Sequence, residues 1–304
     1  MSAQSAQFTV PGRLVESVRS EGDPAAEEWL AALPARFGER LAGWGLVLER
    51  VVEPGGRSSA VAYAHRGDDL QPVVVKAVRP GPERAGEAAA LRAWAGRGAA
   101  LLLAEADGVL LLERLHGEIP LRSLAEAKAM LEATSLLRRL WVEVPAGHGF
   151  ETLPRRAARI SERIAARRAL PAAADAAPLV DEALEAVALA GDGGGRLLHG
   201  EFHHGRVLAA DRAPWLAVGP RPVVGDPAFD LARLVLDRAD TLAASPGPRG
   251  AARRRLQQLS EAVDLPAERV RAWTLLRAVD VALAALAAGD RPGAELHLEF
   301  AAWL

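Results

Sequence analysis

Lys76 closes the apolar run Val73-Val74-Val75, and Glu87 follows in a stretch with helical spacing. A lysine and a glutamate so placed can form a strand-to-helix ion pair. An ammonium held there is a compact point charge suited to phosphate oxygens. Earlier in the chain, Pro54-Gly55-Gly56-Arg57-Ser58-Ser59 lies between two short apolar runs. Its glycines permit close backbone approach to a phosphate, and the hydroxyls of Ser58 and Ser59 can donate to one. Taken alone, the same segment reads as a hairpin turn; it lacks Gly-Lys-Ser/Thr and is no P-loop. A second constellation is Leu198-His199-Gly200-Glu201-Phe202-His203-His204-Gly205-Arg206-Val207-Leu208, followed by Gly225-Asp226-Pro227-Ala228-Phe229-Asp230. Three histidines and a glutamate invite a metal, but His203 and His204 are adjacent and point apart. No His-Glu-x-x-His spacing occurs, so no metal site is expected. Asp226 reads as a helix N-cap with Pro227 at the first helical position and Asp230 in the favourable first turn.

The elements that must position these groups change character along the chain. Residues 11–45 carry helical periodicity through Leu14, Val18, Trp29, Leu33, Phe37 and Leu41. Strands are expected at 46–52, 59–65 and 73–76, the last ending at Lys76; a helix follows at 83–94 and a short strand at 109–112. From Pro120 onward helices dominate: 123–142 (with Leu124, Ala127, Leu131 and Leu140 on its apolar face), 153–170, 178–190, 227–242, 250–263, 266–288 and 293–303. Two short strands, 207–209 and 215–218, bracket the turn at Asp211. Gly191-Asp192-Gly193-Gly194-Gly195 stops the helix before them. A strand-rich first third and a helical remainder suggest two lobes with a ligand cleft, divided as 1–115 and 116–304. At 304 residues the chain suits two domains, or one domain in two lobes. Its 39 acidic and 37 basic residues leave a net charge of −2, so no global field draws it to nucleic acid or anionic lipid. Without cysteine there are no disulfides and no thiolate chemistry. No signal peptide and no membrane span are visible, and a cytoplasmic location is expected.

In this order, the Pro-Gly-Gly turn, Val-Val-Val-Lys76, helix Glu87, Leu-Leu-Leu-Glu113-Arg114-Leu115, His199-Gly-x-x-His203-His204-Gly and Gly-Asp226-Pro-Ala-Phe-Asp230-Leu-Ala resemble the aminoglycoside phosphotransferases. The resemblance is to the branch of streptomycin and hydroxyurea-type resistance kinases and covers most of the chain. It implies an α+β, protein-kinase-like two-lobed fold, with a small N-terminal sheet lobe, a larger helical C-terminal lobe and ATP between them. By that resemblance Lys76 contacts the α/β-phosphates, Glu87 orients it, and Glu113 to Leu115 form the adenine hinge. The catalytic loop departs from the family. Glu201 stands at the base position of an aspartate, Arg206 at that of a metal-binding asparagine, and Gly219, in Val218-Gly219-Pro220-Arg221-Pro222, at that of a metal-binding aspartate. The exchanges make the local charge more positive by the charge of the magnesium they disfavour.

Two consequences stay open at this point. Arg206 substitutes for the metal by pairing with a phosphate or carboxylate, so that ATP or another nucleotide binds without magnesium; or Arg206 pairs with Glu201 and no nucleotide binds. The expected function is a pseudokinase that holds a small molecule, a nucleotide or a protein partner. The alternatives are an active small-molecule phosphotransferase with Glu201 or Asp226 as base, and a scaffold or peptide-binding component of a natural-product pathway. His199, His204 and Asp226 are further cleft candidates. Arg155, Arg159, Arg163 and Arg167 recur at helical spacing as a possible anion stripe, but a solvated basic face is the commoner meaning of such a pattern, as it is for Arg253-Arg254-Arg255.

Overall fold

The structure is a computed structural model that describes residues 8–81, 86–190 and 194–304. The chain divides into two compact units, Met1–Gly117 with Ala209–Leu216, and Glu118–Leu208 with Ala217–Leu304.

The first unit opens with two helices, α1 (Gly12–Glu21) and α2 (Pro24–Gly43). The periodicity of 11–45 suggested a continuous helical stretch. Gly22 interrupts it with φ +61, a left-handed cap, and the Asp23 carboxylate accepts the Ala25 N–H to start α2 with Pro24 in its first turn. Strands β1 (Leu46–Val51), β2 (Ser59–Arg66), β3 (Pro72–Val78), β4 (Leu102–Ala106) and β5 (Val109–Glu113) form an antiparallel sheet in the order β1-β2-β3-β5-β4. Alternation decides the faces. Ala60, Ala62, Ala64, Val73, Val75, Ala77, Val109 and Leu111 turn to one side and pack with Leu14, Val18, Trp29, Leu33 and Phe37 of α1 and α2. Phe8 stacks on Phe37 with ring centroids 4.0 Å apart. The opposite face carries Lys76, paired in register with Val61 and Leu110, and the short helix α3 (Glu87–Trp94). Lys76 does not end its strand, as the sequence suggested. β3 runs on to Val78 because Ser59 and Ala60 continue the ladder opposite it. The start expected for α3 at Glu83 lies outside the described residues.

The second unit is helical around α10 (Ala267–Ala287). Val270, Trp273, Leu275, Leu276, Val279 and Leu283 of α10 are all buried, which exhausts its faces. Around it stand α4 (Glu126–Leu140), α5 (Leu153–Arg168), α6 (Ala177–Ala190), α7 (Ala228–Val235), α8 (Ala239–Ala243), α9 (Pro248–Ala262) and α11 (Arg291–Trp303). One helix was expected over 227–242; Arg238, with φ +56, separates α7 from α8. The apolar face of α4 is Ala129, Ala133, Leu136, Leu137 and Leu140. Leu131, expected in that face, is 67% exposed, because two helical steps from Ala129 turn it to the far side. A small antiparallel ladder, β11-β8-β7, joins Val223–Gly225, Arg196–Leu198 and Val142–Glu143. The remaining short strands are β6 (His116–Pro120), β9 (Val207–Ala209) and β10 (Trp215–Ala217). Among the described residues no helix is long and apolar enough to cross a membrane.

Candidate active site

In the sheet unit the expected ion pair forms. Lys76 Nζ donates to Glu87 Oε1 at 2.5 Å, with both side chains at least nine-tenths buried. Ser59 pairs with Val78 and Val61 with Lys76, so Ser59, Lys76 and Glu87 share the face that carries α3. Ser58 is fixed from behind, its carbonyl accepting the Arg79 N–H at 3.0 Å. Gly55 has φ +73, and a Cβ there would stand 2.7 Å from the Pro11 ring; the turn's glycine is therefore required by its own packing. The Arg79 guanidinium grips the Glu21 carboxylate with both Nη atoms, tying the end of α1 to the segment after β3. In the expected hinge, the Glu113 carboxylate accepts the Leu101 N–H at 2.6 Å and is held by Arg212, whose Nη2 lies 2.7 Å from Glu113 Oε1. Arg212 also donates to the carbonyls of Gly96 and Ala99. The Glu113 side chain is thus structural, and Leu115 beyond it is buried.

In the helical unit the loop after β8 is shaped by a carboxylate that the sequence placed only in a helix dipole. Asp230 is completely buried and accepts the N–H groups of His199 at 2.8 Å and Gly200 at 2.7 Å, and Trp141 Nε1–H at 3.2 Å. Burial raises its pKa, an effect these hydrogen bonds oppose. Gly200 has φ +77, and a Cβ there would fall 1.9 Å from the Arg221 carbonyl, so no other residue fits this turn. His199 is sealed. Its Nε2 faces the Val218 carbonyl at 3.2 Å and its Nδ1 accepts the Glu201 N–H at 3.3 Å, an arrangement that defines the neutral Nε2–H tautomer. Burial, helped by the charge of Arg206, pushes its pKa down to about 3. His204 is equally inward; its N–H and Nδ1 both meet Asp237 Oδ2, at 2.8 and 2.7 Å. Asp226 caps α7 as expected, accepting the Ala228 N–H at 3.0 Å, and its second oxygen accepts Trp273 Nε1–H at 3.1 Å. Asp226 is fully buried, both its oxygens engaged, with Arg269 Nε 3.4 Å from Oδ2.

Glu201 is the least expected part. Its Oε1 accepts Arg233 Nε–H at 3.0 Å, while Arg221 Nη1 and Arg277 Nη1 lie 3.8 and 3.9 Å from Oε2. Burial alone raises a carboxyl, but here the charges of Arg233, Arg277 and Arg221 outweigh it and hold Glu201 below the ordinary carboxylate range. Arg277 is itself built in. It donates to the Gly200 carbonyl at 2.8 Å, lies 3.8 Å over the Phe229 ring and is pushed down to about 10 by burial. These three arginines come from the loop before β11, from α7 and from α10, whereas the sequence had left open a pairing of Glu201 with Arg206. None of the three has a local sequence spacing that ties it to Glu201.

The donor set does not fit the magnesium that the resemblance implies. Gly219 offers no carboxylate, Arg206 is a cation, and Glu201 is committed to guanidinium groups. Among the described residues no group of three or more His, Asp or Glu side chains could hold a metal ion. The helical arginines are also accounted for. Arg159 Nη1 lies 2.8 Å from Glu151, and Arg163 and Arg167 share Asp280 at 2.8 and 3.0 Å. Most of that face is therefore ion-paired within the unit, neither an open anion stripe nor simply solvated; only Arg155 is left exposed on it. Arg255 is buried too, donating to the carbonyls of Val235 and Asp237 and to Glu126.

The neutral histidines make stability depend on pH. His199 at about 3 and His203, lowered to about 4 chiefly by burial with Arg233 assisting, both titrate below the usual histidine value. In the window between those values and about 6.5 the unfolded chain binds more protons, so stability rises with pH. Thermal midpoints measured in constant ionic strength are expected to fall as pH is lowered from 7 to 5. His199→Asn should flatten that slope; an unchanged slope would contradict the assignment.

A five-stranded antiparallel sheet with a buried lysine–glutamate pair in one unit, and in the other a helical unit whose loop begins His-Gly-Glu, make a protein-kinase-like, two-lobed α+β fold. The profile of the aminoglycoside/hydroxyurea antibiotic resistance kinase family matches residues 44–289, and the chain belongs to that family. It is 37% identical over 279 residues to a hydroxyurea phosphotransferase of Kitasatospora aureofaciens, covering 89% of this chain and 78% of the relative. It is 34% identical over 279 residues to a streptomycin 6-kinase of Streptomyces griseus, covering 90% of each. Among solved structures, a thermostable mutant of aminoglycoside phosphotransferase APH(4)-Ia in ternary complex with AMP-PNP and hygromycin B shares the fold. It has a TM-score of 0.61 at 16% identity, covering 88% of this chain and 95% of that one. A choline/ethanolamine kinase family protein from Mesorhizobium loti matches with TM-score 0.61 at 19% identity over 91% of this chain and 94% of that one.

Proposed function

We propose that this chain is a pseudokinase of its family, holding a nucleotide or another small molecule without efficient phosphoryl transfer. One observation carries the reading: the carboxylate at the base position, Glu201, accepts a hydrogen bond from Arg233 and faces two more arginines. A base so paired has a conjugate acid too strong to take a proton from a hydroxyl. The surrounding donors also lack the carboxylate that phosphoryl transfer needs to place a divalent ion. Lys76, oriented by Glu87, supplies a phosphate contact, and Ser58 and Ser59 lie in the turn that leads into its neighbouring strand. ATP, bound without magnesium, is the nucleotide this reading favours.

A second reading is an active ATP-dependent small-molecule phosphotransferase with non-standard catalytic residues. Its support is the relatives, which are named as kinases and phosphotransferases at 34–37% identity over about nine-tenths of this chain. The relatives favour this reading, as the loop chemistry favours the first. The scaffold alternative loses its motive, since the arginine face behind it pairs with Glu151 and Asp280.

ADP release with magnesium and either streptomycin or hydroxyurea as acceptor separates the two. The first reading expects rates indistinguishable from ATP alone. Acceptor-dependent release of about 1 s⁻¹ or faster, the low end for kinases, establishes the second.

A further inference from the structure

We propose that the sheet unit carries a binding site for a small aromatic carboxylate, in a cavity against the first turn of α3. The site is independent of the Glu201 loop and needs no nucleotide.

The cavity has a volume of about 420 Å³ and opens where the end of β3, the start of α3 and the β4–β5 hairpin diverge. That volume lies within the range of small-molecule sites. Val78, Pro80, Ala88, Ala89 and Leu110 give it an apolar wall. Its charged side chains are matched in pairs. Arg92 Nη2 lies 2.5 Å from Glu105 Oε2, and the Glu87 carboxylate is engaged by Lys76. Arg79 holds the Glu21 carboxylate through both Nη atoms. Both carboxylates that line the cavity, Glu87 and Glu105, are therefore occupied.

Two sets of donors are not. The first belongs to α3, which starts at Gly86 with φ +86 and has no side-chain cap. The first N–H groups of a helix have no acceptor within it. Here the Ala90 N–H reaches back to the Gly86 carbonyl at 2.8 Å, which leaves those of Glu87, Ala88 and Ala89 ahead of the ladder. Gly86 through Ala89 all line the cavity, so this end of the helix faces it. The second donor is Arg79, a lining residue only 7% exposed, whose buried Nε–H has no partner. A buried donor left without an acceptor is uncommon and marks a place where one is missing. Such a wall selects a ligand that brings an acceptor on an apolar body, and the positive end of the helix dipole favours an anionic one. A free phosphate would satisfy the donors but leave the apolar wall uncovered; an aromatic carboxylate meets both. Glu87 belongs to the cavity by its position in the first turn and to Lys76 by its carboxylate, so a ligand seated there fixes the helix that orients Lys76.

Titration calorimetry of the whole chain with indole-2-carboxylate, and separately with indole and with inorganic phosphate, tests this at fixed ionic strength. Indole-2-carboxylate should bind saturably and about tenfold more tightly than either of the others, the worth of one charge-assisted hydrogen bond. Ala89→Phe, filling the cavity from an exposed position, should weaken binding at least about tenfold. The same change at Ala93, exposed on α3 but outside the cavity, should leave it unaltered. Arg79→Lys keeps a cation for Glu21 and removes the Nε–H, and should weaken binding several-fold. In hydrogen exchange the ligand should slow the amides of α3. Circular dichroism and thermal midpoints establish that each variant is folded; should one unfold, the other variant and the exchange pattern carry the test. Absence of saturable binding, indole or phosphate binding as tightly as indole-2-carboxylate, affinity unchanged in folded Ala89→Phe or Arg79→Lys, or protection that bypasses α3 overturns the proposal. Acceptor-dependent ATP turnover by the unmodified chain would overturn the pseudokinase reading and leave this test as it stands.

Discussion

Glu201→Asp, Arg206→Asn and Gly219→Asp, introduced together, are expected to raise magnesium-dependent ATP turnover by at least about 10²-fold over the unmodified chain. The three changes act on one deficit. Arg206→Asn removes a positive charge and Gly219→Asp adds a negative one, so the local charge falls by two, the charge of the ion that must enter. The backbone can accept the new carboxylate: Gly219 has φ +64, and aspartate and asparagine tolerate the left-handed region better than other side chains. Glu201→Asp withdraws the carboxylate by one methylene from Arg233 Nε, now 3.0 Å away. Each single change should do little, because a lone carboxylate beside Arg206, or a lone asparagine without the carboxylate, does not make a metal site. The measurement is ADP release under saturating ATP and magnesium for the triple and the three single variants. A triple variant no faster than the unmodified chain, while folded and able to bind ATP, would show that something other than these positions limits turnover.

The largest effect on stability is expected at Asp230. Asp230→Ala removes the acceptor for the His199 N–H, the Gly200 N–H and Trp141 Nε1–H in a site with no access to water. Each orphaned donor costs about 1–3 kcal/mol, and the three share one site, so a total of roughly 3–5 kcal/mol is expected. For a unit of this size that corresponds to a fall in Tm of roughly 10 °C. Asp230→Asn retains an acceptor oxygen and should lose less. Calorimetric scans of both variants check the order, and a Tm for Asp230→Ala within about 2 °C of the unmodified chain would refute the role. The loop geometry gives this residue its importance: Gly200 can turn only because nothing but hydrogen occupies the space beside the Arg221 carbonyl, and Asp230 holds the two N–H groups that the turn exposes.

Much of this was legible in the chain, and the limits have physical causes. Lys76 and Glu87 were paired correctly because a strand and the helix after it bring their residues together by local geometry. The cap at Asp226 followed from the proline beside it. The strand β4 was lost within the apolar stretch 99–112, where Glu105 and Asp107 disguise a hairpin; Asp107 and Gly108, at φ +51 and +75, are its turn. The arginines around Glu201 could not be assigned from spacing. Arg233 and Arg277 lie 32 and 77 positions from the loop residues they bind, and in a sequence with 35 arginines among 37 basic residues no single one stands out. The same abundance concealed Arg255 as a buried residue, and made the α5 face seem open when Asp280, on a distant helix, was its partner.

The segment Ala209–Leu216 belongs to the sheet unit although the chain on both sides of it belongs to the other. Its Arg212 fastens Glu113 to the carbonyls of Gly96 and Ala99. A fragment ending at Gly117 would carry all five sheet strands and yet lack the guanidinium that ties them to the end of α3. Neither half is therefore a portable cassette. Exchanging the first 117 residues for those of a relative would transplant one side of this joint without the other, and a working chimera would have to carry eight residues from far downstream along with it.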